Sequence, residues 1–215
     1  VICVIPVLHV IFASFSDPRQ LLNNSGILLA PLGFTVQGYE LIFSNSVIVT
    51  GYLNTLLYVL VGTALSTGLT IMGGYALSRK NLYWGKVIMF LITFTMFFSG
   101  GLIPFYLLIN DLGMMNTRAA VIVPSAVNAF NLIIMRTSMK NLPESIEESA
   151  LIDGANPFTI MARIVVPLSS ATVAVIALFY AVGIWNSWFN ASIFLTNRRL
   201  YPLQLVLKEI LVSSD

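Results

Sequence analysis

The stretch that decides the fold reads Leu142-Pro-Glu-Ser-Ile-Glu-Glu-Ser-Ala-Leu-Ile-Asp-Gly-Ala-Asn-Pro-Phe158. It lies between two long apolar runs and is the densest charge cluster of the chain. An apolar chain rarely concentrates charge in one internal loop without a partner for it, so we expect a docking surface here. The loop carries four of the nine acidic residues: Glu144, Glu147, Glu148 and Asp153.

The composition indicates an integral membrane protein. Of the 215 residues, 57% are hydrophobic and 9% are charged, and the mean hydropathy is +0.88. Soluble domains average about 25% charged residues, so this chain could not cover its surface in water. Its apolar residues come in blocks of the length that a membrane helix needs, about 20 residues. The small net charge of +2 and the scattered basic residues do not indicate nucleic-acid binding.

Hydropathy predicts an all-α, polytopic membrane helix bundle with five visible spans. The first, Val1–Phe15, is short and starts without methionine, so we expect a helix cut at its start. The final stretch, Asn197–Asp215, mixes apolar and charged residues, which is typical of an interfacial or partner-facing helix. The other predicted spans are Val47–Leu77, Val87–Ile109 bent at Gly100, Gly101 and Pro104, Ala119–Met135 ending at Arg136, and Val166–Ala191 entered through Pro167.

Basic residues near the membrane ends orient the bundle. With the first helix running outward, the segment Lys140–Val166 faces the cytoplasm and Ser16–Ser46 faces the outside, as does the chain's end. The bias is small. Inside lie Arg79, Lys80, Lys86, Arg136, Lys140 and Arg163, whereas outside lie Arg19, Arg118, Arg198, Arg199 and Lys208.

The cytoplasmic loop reads as two short helices joined by a sharp turn. Pro143 suits the first turn of a helix, and Gly154 suits its end, where a residue with positive φ is favoured. Asn156 and Pro157 are typical of a cap and first position of a second helix. That helix would present Phe158, Met161, Ile164 and Val165 at helical spacing. The alternative is a solvated connector that rests on the membrane.

The same loop resembles a known family motif. Glu148-Ser-Ala-Leu-Ile-Asp-Gly-Ala155, followed by Phe158 and Ile164-Val-Val-Pro-Leu168, is similar to the EAA loop of type I, binding-protein-dependent ABC importers. The chain departs from the motif at Ser149, where alanine is usual, but it keeps a small residue. Similarity to carbohydrate-uptake permeases, of the LplC/YtcP type, extends over essentially the whole chain and includes Tyr75–Arg79, Ala181–Trp188 and Tyr201–Leu205.

The resemblance implies a MetI-like fold of about six spans and a coupling role for the loop. Residues 1–15 would be the clipped first helix, 16–46 an extracytoplasmic segment, and 47–215 the transmembrane core with its coupling loop at 141–167. A further helix after Asp215 and a few residues before Val1 would then be missing. The implied ATPase-coupling residues are Glu148, Ser149, Ala150, Asp153, Gly154, Ala155, Phe158 and Pro167.

The resemblance also implies a set of partners in a bacterial plasma membrane. These are a cytoplasmic ABC ATPase dimer that holds ATP and Mg, a sister permease subunit, and an extracytoplasmic solute-binding lipoprotein. The chain itself would bind no cofactor and would form the path for a sugar or oligosaccharide. The alternatives are a non-sugar solute or, less favoured, a secondary transporter.

The residues themselves give no sign of catalysis or of a metal site. Gly85-Lys86 lacks the upstream glycine and the following hydroxyl of a phosphate-binding loop. His9 is the only histidine, which excludes a His-based triad, and we favour a packing role for it. Cys3, the only cysteine, is read as a small buried hydrophobe. A secondary transporter would need intramembrane charges for ion coupling, and an intramembrane enzyme would need paired acids or metal ligands within the spans.

Polar and aromatic residues within the spans are the candidates for the solute path. Such residues are costly in lipid and usually face the interior of a bundle. Interhelical hydrogen bonds and an aromatic belt are the alternatives. The stripe of Gly62, Ser66, Gly73 and Gly74 predicts close helix packing instead. The main path candidates are Asn54, Asn128, Asn131, Trp185, Asn186 and Trp188, and Thr55 and Asn190 also qualify.

Overall fold

The computed structural model describes residues 4–24, 26–80 and 82–213, and these residues are predominantly helical. Within them no β-strand forms, and a single isolated bridge joins Ser16 to Phe34. Cys3 lies outside the described residues. The helices are α1 Val4–Ser14, α2 Pro18–Leu22, α3 Gln37–Ser44, α4 Ser46–Ser78, α5 Gly85–Phe97, α6 Leu102–Asp111, α7 Ala119–Ile122, α8 Ala129–Lys140, α9 Glu144–Ile152, α10 Pro157–Ile160, α11 Val166–Leu168, α12 Ser170–Trp185, α13 Phe189–Phe194 and α14 Leu203–Ser213.

The helix α4 is the central element of the bundle. Its 33 residues match the predicted span Val47–Leu77, and among the described helices it alone is long and apolar enough to cross a membrane by itself. Three further crossings are possible if each of three bent helix pairs counts as one span. The first helix, α1, has 11 described residues and is shorter than a bilayer requires.

The bend predicted for the third span is present at Gly100 and Gly101. The chain breaks there into α5 and α6, whose axes differ by 116°. Gly101 stands at the junction with φ +84, a conformation that glycine adopts without steric cost. Pro104 lies inside α6 near its start, where its missing N–H costs little, so the proline does not cause the bend.

The fourth and fifth predicted spans are also broken. Asn128 caps α8 and separates it from α7 and a following 3₁₀ turn at a 47° bend, and α8 continues past Arg136 to Lys140. The chain turns by 86° into α12 at Ser169 and not at Pro167, because Pro167 fits the first turn of the short α11. Likewise Pro143 occupies the cap of α9, one residue before its first turn.

The small residues of α4 allow α8 and α12 to approach closely, as the sequence predicts. A Cβ added at Gly74 would lie 2.6 Å from Cγ of Met135, and one at Gly62 would lie 2.7 Å from Cδ1 of Ile184. Met135 packs in a buried cluster that combines residues of α8 with residues of the helices around it. Its other members are Met139, Ala150, Ile160, Val165, Ile176 and Tyr180.

The helix α14 packs against the N-terminal part of α4. Leu205 and Val206 are buried, and the hydroxyl of Thr55 accepts a hydrogen bond from the Leu203 N–H at 2.8 Å. Beyond these contacts, α14 exposes Leu207, Val212 and other apolar side chains. It is therefore part of the bundle on one face, and its other face has the apolar character expected of an interfacial or partner-facing helix.

His9 has a structural role in the first part of the chain. Its Nδ1 accepts a hydrogen bond from the backbone N–H of Leu28 at 3.0 Å, which attaches the segment after α2 to α1. Nearby, the rings of Phe15 and Phe34 stack with centroids 5.7 Å apart. The predicted packing role of His9 agrees with this contact.

Candidate functional site

The helices α9 and α10 meet at Gly154 in a well-defined turn. Gly154 has φ +80, and its N–H donates to the carbonyl of Leu151 at 3.0 Å. The N–H of Ala155 donates to the carbonyl of Ala150 at 2.9 Å, which completes a Schellman motif. Asn156 then caps α10 by accepting a hydrogen bond from the Thr159 N–H at 2.8 Å. The predicted turn and cap are confirmed.

One face of this helical pair is anchored in the bundle. Ala150 is only 7% exposed, and Ile160 and Val165 are completely buried beside Met135 and Met139 of α8. Ala155 packs against the same cluster. Because these residues come from both sides of Gly154, the turn is held in position by the core beneath it.

The opposite face of the pair is apolar and exposed. Ile152 is 87% exposed and Phe158 is 67% exposed, and Leu151 lies beside them at the surface. The side chains of Glu148 and Asp153 are exposed at the same end of α9. Apolar side chains rimmed by carboxylates are typical of a surface that another protein covers. Of the predicted coupling residues, Ser149 is exposed and donates to the Ser145 carbonyl, whereas Pro167 lies apart in α11.

Two ion pairs tie α9 to the segment that follows α4. Arg79 binds Glu147, and Lys80 Nζ lies 2.7 Å from Glu144 Oε1. Partial burial lowers the pKa of the Arg79 guanidinium, and Tyr75 and Glu144 oppose that shift. The same end of α4 is also bonded to α8, because Arg136 donates from Nε to the carbonyl of Leu77 at 2.9 Å. Two of the four carboxylates of the loop, Glu144 and Glu147, are therefore paired with the cations that follow α4.

Two of the solute-path candidates lie together beside α4. The side chain of Asn128 accepts from the Asn131 N–H at 3.2 Å, and the backbone N–H of Asn128 donates to the Tyr180 hydroxyl at 3.0 Å. The same hydroxyl lies 2.8 Å from Oγ1 of Thr70. Residues of α4, α8 and α12 thus form one polar seam inside the bundle.

The other four candidates lie elsewhere. Asn54 donates from its amide to the carbonyls of Arg199 and Tyr201, at 2.7 and 3.2 Å. These bonds join separate parts of the bundle, which is the alternative to a role in the solute path. The remaining three lie at the end of α12 or just after it. Trp185 meets Tyr52 edge-on, Asn186 donates to the carbonyl of its own helix at Val182, and Trp188 lies under the Lys208 ammonium at 3.5 Å.

Sequence reasoning missed the hydroxyl groups of α4. The hydroxyls of Thr63, Ser66 and Thr67 are buried and have no hydrogen-bond partner among the described residues. They occur at spacings of three and four residues, so they share one face of the helix. This spacing is visible in the sequence, where the small residue Ser66 predicts only close helix packing. Unpaired buried hydroxyls are costly, which makes this face a candidate for contact with solute or water.

Comparison with known proteins gives the family. Residues 66–203 match the family described as binding-protein-dependent transport system inner membrane component. The chain belongs to this family. It is accordingly a multi-pass membrane permease subunit of an ABC transporter, and not an enzyme.

The permease also resembles individual proteins over its full length. It is 42% identical to YtcP of Bacillus subtilis (strain 168), a polygalacturonan/rhamnogalacturonan transport system permease protein, over 100% of this chain and 74% of the relative. It is 37% identical to the protein LplC of the same organism, over 100% and 72%. The crystal structure of a bacterial ABC transporter that imports the acidic polysaccharide alginate matches with a TM-score of 0.95 and 32% identity, over 100% of this chain and 76% of that one. These matches confirm the MetI-like fold and the resemblance to carbohydrate-uptake permeases.

Proposed function

We propose that the permease forms the membrane path of an ATP-driven importer of saccharides and that the loop around Gly154 couples it to a separate ATPase. Family membership supports transport, and the names of the relatives support a saccharide as the solute. The observation that carries the coupling role is the exposed apolar face of Ile152 and Phe158 on a turn anchored in the core.

Coupling requires a rigid connection between the docking face and the membrane helices. The turn at Gly154 is packed against Met135 and Met139 of α8, and α9 is tied by ion pairs to the end of α4. A push on the exposed face would therefore move α4 and α8 together. The partners in this proposal are an ATPase dimer that binds ATP and Mg, a sister permease and an extracytoplasmic binding protein.

We propose that the solute path follows the buried hydroxyl groups of α4 and the polar seam that α4 forms with α8 and α12. Thr63, Ser66 and Thr67 offer hydroxyl groups that have no hydrogen-bond partner among the described residues, and Thr70 and Tyr180 continue the seam toward Asn128. Hydroxyl and amide groups match the hydrogen-bonding surface of a saccharide. The helices α4 and α12 carry no Asp, Glu, Lys or Arg, so they offer no charged group for the ion coupling that a secondary transporter would need.

An acidic oligosaccharide is the substrate class we favour. Two of the matched proteins handle acidic polysaccharides by name, polygalacturonan and alginate. At the end of the bundle opposite the Gly154 loop, Arg198, Arg199 and Lys208 outnumber the single carboxylate of Glu209 among residues 197–213. A positive potential at that end would raise the local concentration of an anionic solute.

Uptake by the reconstituted transporter tests this proposal. The permease, its sister subunit, the ATPase and the binding protein would be placed in proteoliposomes and given labelled oligogalacturonate, a neutral oligosaccharide of equal length or an amino acid. We expect ATP-dependent uptake of the oligogalacturonate. Uptake of the neutral sugar alone would refute the acidic substrate class, and uptake without the ATPase would refute ATP coupling.

A further inference from the structure

A cavity with a strongly basic lining lies where α4 and α8 end and α5 begins. Its volume is about 410 Å³, and no acidic residue among the described ones lines it. Trp84 and Gly85 form part of its wall. The cationic lining residues are Arg79, Lys80, Lys86, Arg136 and Lys140.

Three of these cations have no acidic partner in the part of the chain that the structure describes. Arg79 and Lys80 bind Glu147 and Glu144, but Lys86, Arg136 and Lys140 form no ion pair with a described acidic residue. Concentrating unpaired like charges around one cavity is unfavourable unless an anion enters it.

The start of α5 adds to the positive potential. Lys86 is the second residue of this 13-residue helix, where the helix dipole is positive and a cation is disfavoured. Trp84, at the cap position, makes no side-chain hydrogen bond to the first turn. The Gly85 N–H already donates to the Leu82 carbonyl at 3.1 Å, so the next N–H groups of the first turn, together with the Lys86 ammonium, favour an anion at this place.

The surroundings of the cavity favour a lipid as the source of the anion. Trp84 is 67% exposed and stands edge-on to Tyr83, as aromatic side chains do at the membrane–water boundary. Along α5 an exposed apolar surface continues from the cavity through Val87, Leu91 and Phe94. A soluble anion would need only the basic lining, whereas a phospholipid would also cover this apolar surface with its acyl chains.

We propose that this cavity binds the phosphate of an anionic phospholipid at the cytoplasmic side of the membrane. The cations and the first turn of α5 hold the phosphate group, and the acyl chains lie along α5. Basic pockets between membrane helices on this side are suited to anionic headgroups. Because Arg79 and Lys80 line the cavity and also hold α9, the bound headgroup would lie next to the connection between α4 and the Gly154 loop.

Lipid retention by the purified transporter tests the site. The complete complex would be delipidated, incubated with phosphatidylglycerol or phosphatidylcholine, and examined by native mass spectrometry for bound lipid. We expect the wild type to retain phosphatidylglycerol selectively. The variants Lys86→Gln and Lys140→Gln should each weaken retention about fivefold, equivalent to about 1 kcal/mol per basic residue. Lys86→Arg should retain the lipid, which separates charge from folding.

The matched control is Arg163→Gln, which removes a cation on the same side that does not line the cavity. It should leave phosphatidylglycerol retention unchanged. Equal loss in this variant, or equal binding of both lipids by the wild type, would overturn the site. Displacement of the lipid by millimolar inorganic phosphate would point to a soluble anion instead. Crosslinking of a cysteine at Lys86 to the sister permease would show a protein interface and also overturn the proposal.

Discussion

Glu147 of α9 forms an ion pair with Arg79, the residue that directly follows α4. Both side chains are partly buried, and the Arg79 guanidinium also lies over the Tyr75 ring at 4.6 Å. The helix α9, which leads into the turn at Gly154, is therefore attached by charge to the end of the helix on which α8 and α12 pack. This link gives the first prediction for coupling.

Replacing Glu147 with Gln should uncouple ATP hydrolysis from uptake. The change leaves the partly buried guanidinium of Arg79 without its carboxylate and should weaken the α9–α4 attachment by about 1–3 kcal/mol. We expect a lower ratio of solute taken up to ATP hydrolysed in proteoliposomes. The reversed pair, Arg79→Glu with Glu147→Arg, should recover part of that ratio.

The control for this prediction is the pair of Arg198 and Glu209, which are 2.9 Å apart and more exposed. Exposed pairs contribute about 0–1 kcal/mol, so Glu209→Gln, which keeps all three cations at that end of the bundle, should leave the ratio of uptake to hydrolysis nearly unchanged. An unchanged ratio in Glu147→Gln as well would refute the coupling role of the ion pair.

Replacing Gly154 with Glu should abolish uptake while the permease still inserts in the membrane. The position has φ +80, and a side chain there would project into open space and not into the described core. It would therefore block a docked ATPase more than it disturbs the fold. Uptake and the amount of permease in the membrane are the measurements.

Gly113 provides a matched control for backbone strain. It has φ +66 and equally open surroundings among the described residues, but it follows α6 and not α9. Gly113→Glu should incur the same cost of about 1 kcal/mol for an L-residue in the left-handed region and still support uptake. Equal loss of uptake in both variants would show strain and not a blocked docking face.

Cysteine crosslinking can map the docking face residue by residue. In a background with Cys3→Ser, cysteines at Glu148, Ile152 and Phe158 should crosslink to cysteines on the ATPase because these side chains are exposed. A cysteine at Ala150, which faces the core, should not react. Failure at all three exposed positions, in a transporter that still takes up solute, would contradict docking at this face.

The local chemistry of the loop was predictable because short-range rules determine it. Gly154 at positive φ and Asn156 as a cap both follow from the residues alone. The breaks in the spans were harder to predict because hydropathy averages over a window and gives the same value for a straight helix and a bent one. Asn128 carries a usable signal for the break, because Asn is favoured at helix N-caps. Ser169 gave none, since neither its own residue type nor Pro167 specifies an 86° turn.

The unpaired hydroxyls of α4 show a second limit. Sequence identifies Thr63, Ser66 and Thr67 as one helix face, but it does not say whether a neighbouring helix supplies hydrogen-bond partners. Tyr180 reaches Thr70 and not the other three. Only the arrangement of the helices around α4 decides which of these hydroxyls find a hydrogen-bond partner and which do not.

Gly74→Ala should destabilise the permease by about 1–3 kcal/mol, the usual cost of overpacking a core. The new methyl group would lie 2.6 Å from Cγ of Met135, in the contact between α4 and α8. Gly68 lies on the same helix with open space around it, so Gly68→Ala should be neutral or stabilising by up to about 1 kcal/mol. Thermal unfolding of the purified transporter measures both. Equal stability of the two variants would contradict close packing at Gly74.

Ser66→Ala tests whether the solute path follows this face of α4, because it should change solute uptake without lowering stability. Because the Ser66 hydroxyl is buried without a partner among the described residues, its removal should leave the unfolding temperature unchanged or raise it. If a saccharide uses that hydroxyl, the variant should raise KM for uptake several-fold, in line with about 0.5–1.5 kcal/mol for one hydrogen bond. Thr70→Val is the contrasting variant, since Thr70 is bonded to Tyr180 and its loss should lower stability. An unchanged KM in Ser66→Ala would show that the solute path does not follow this face of α4.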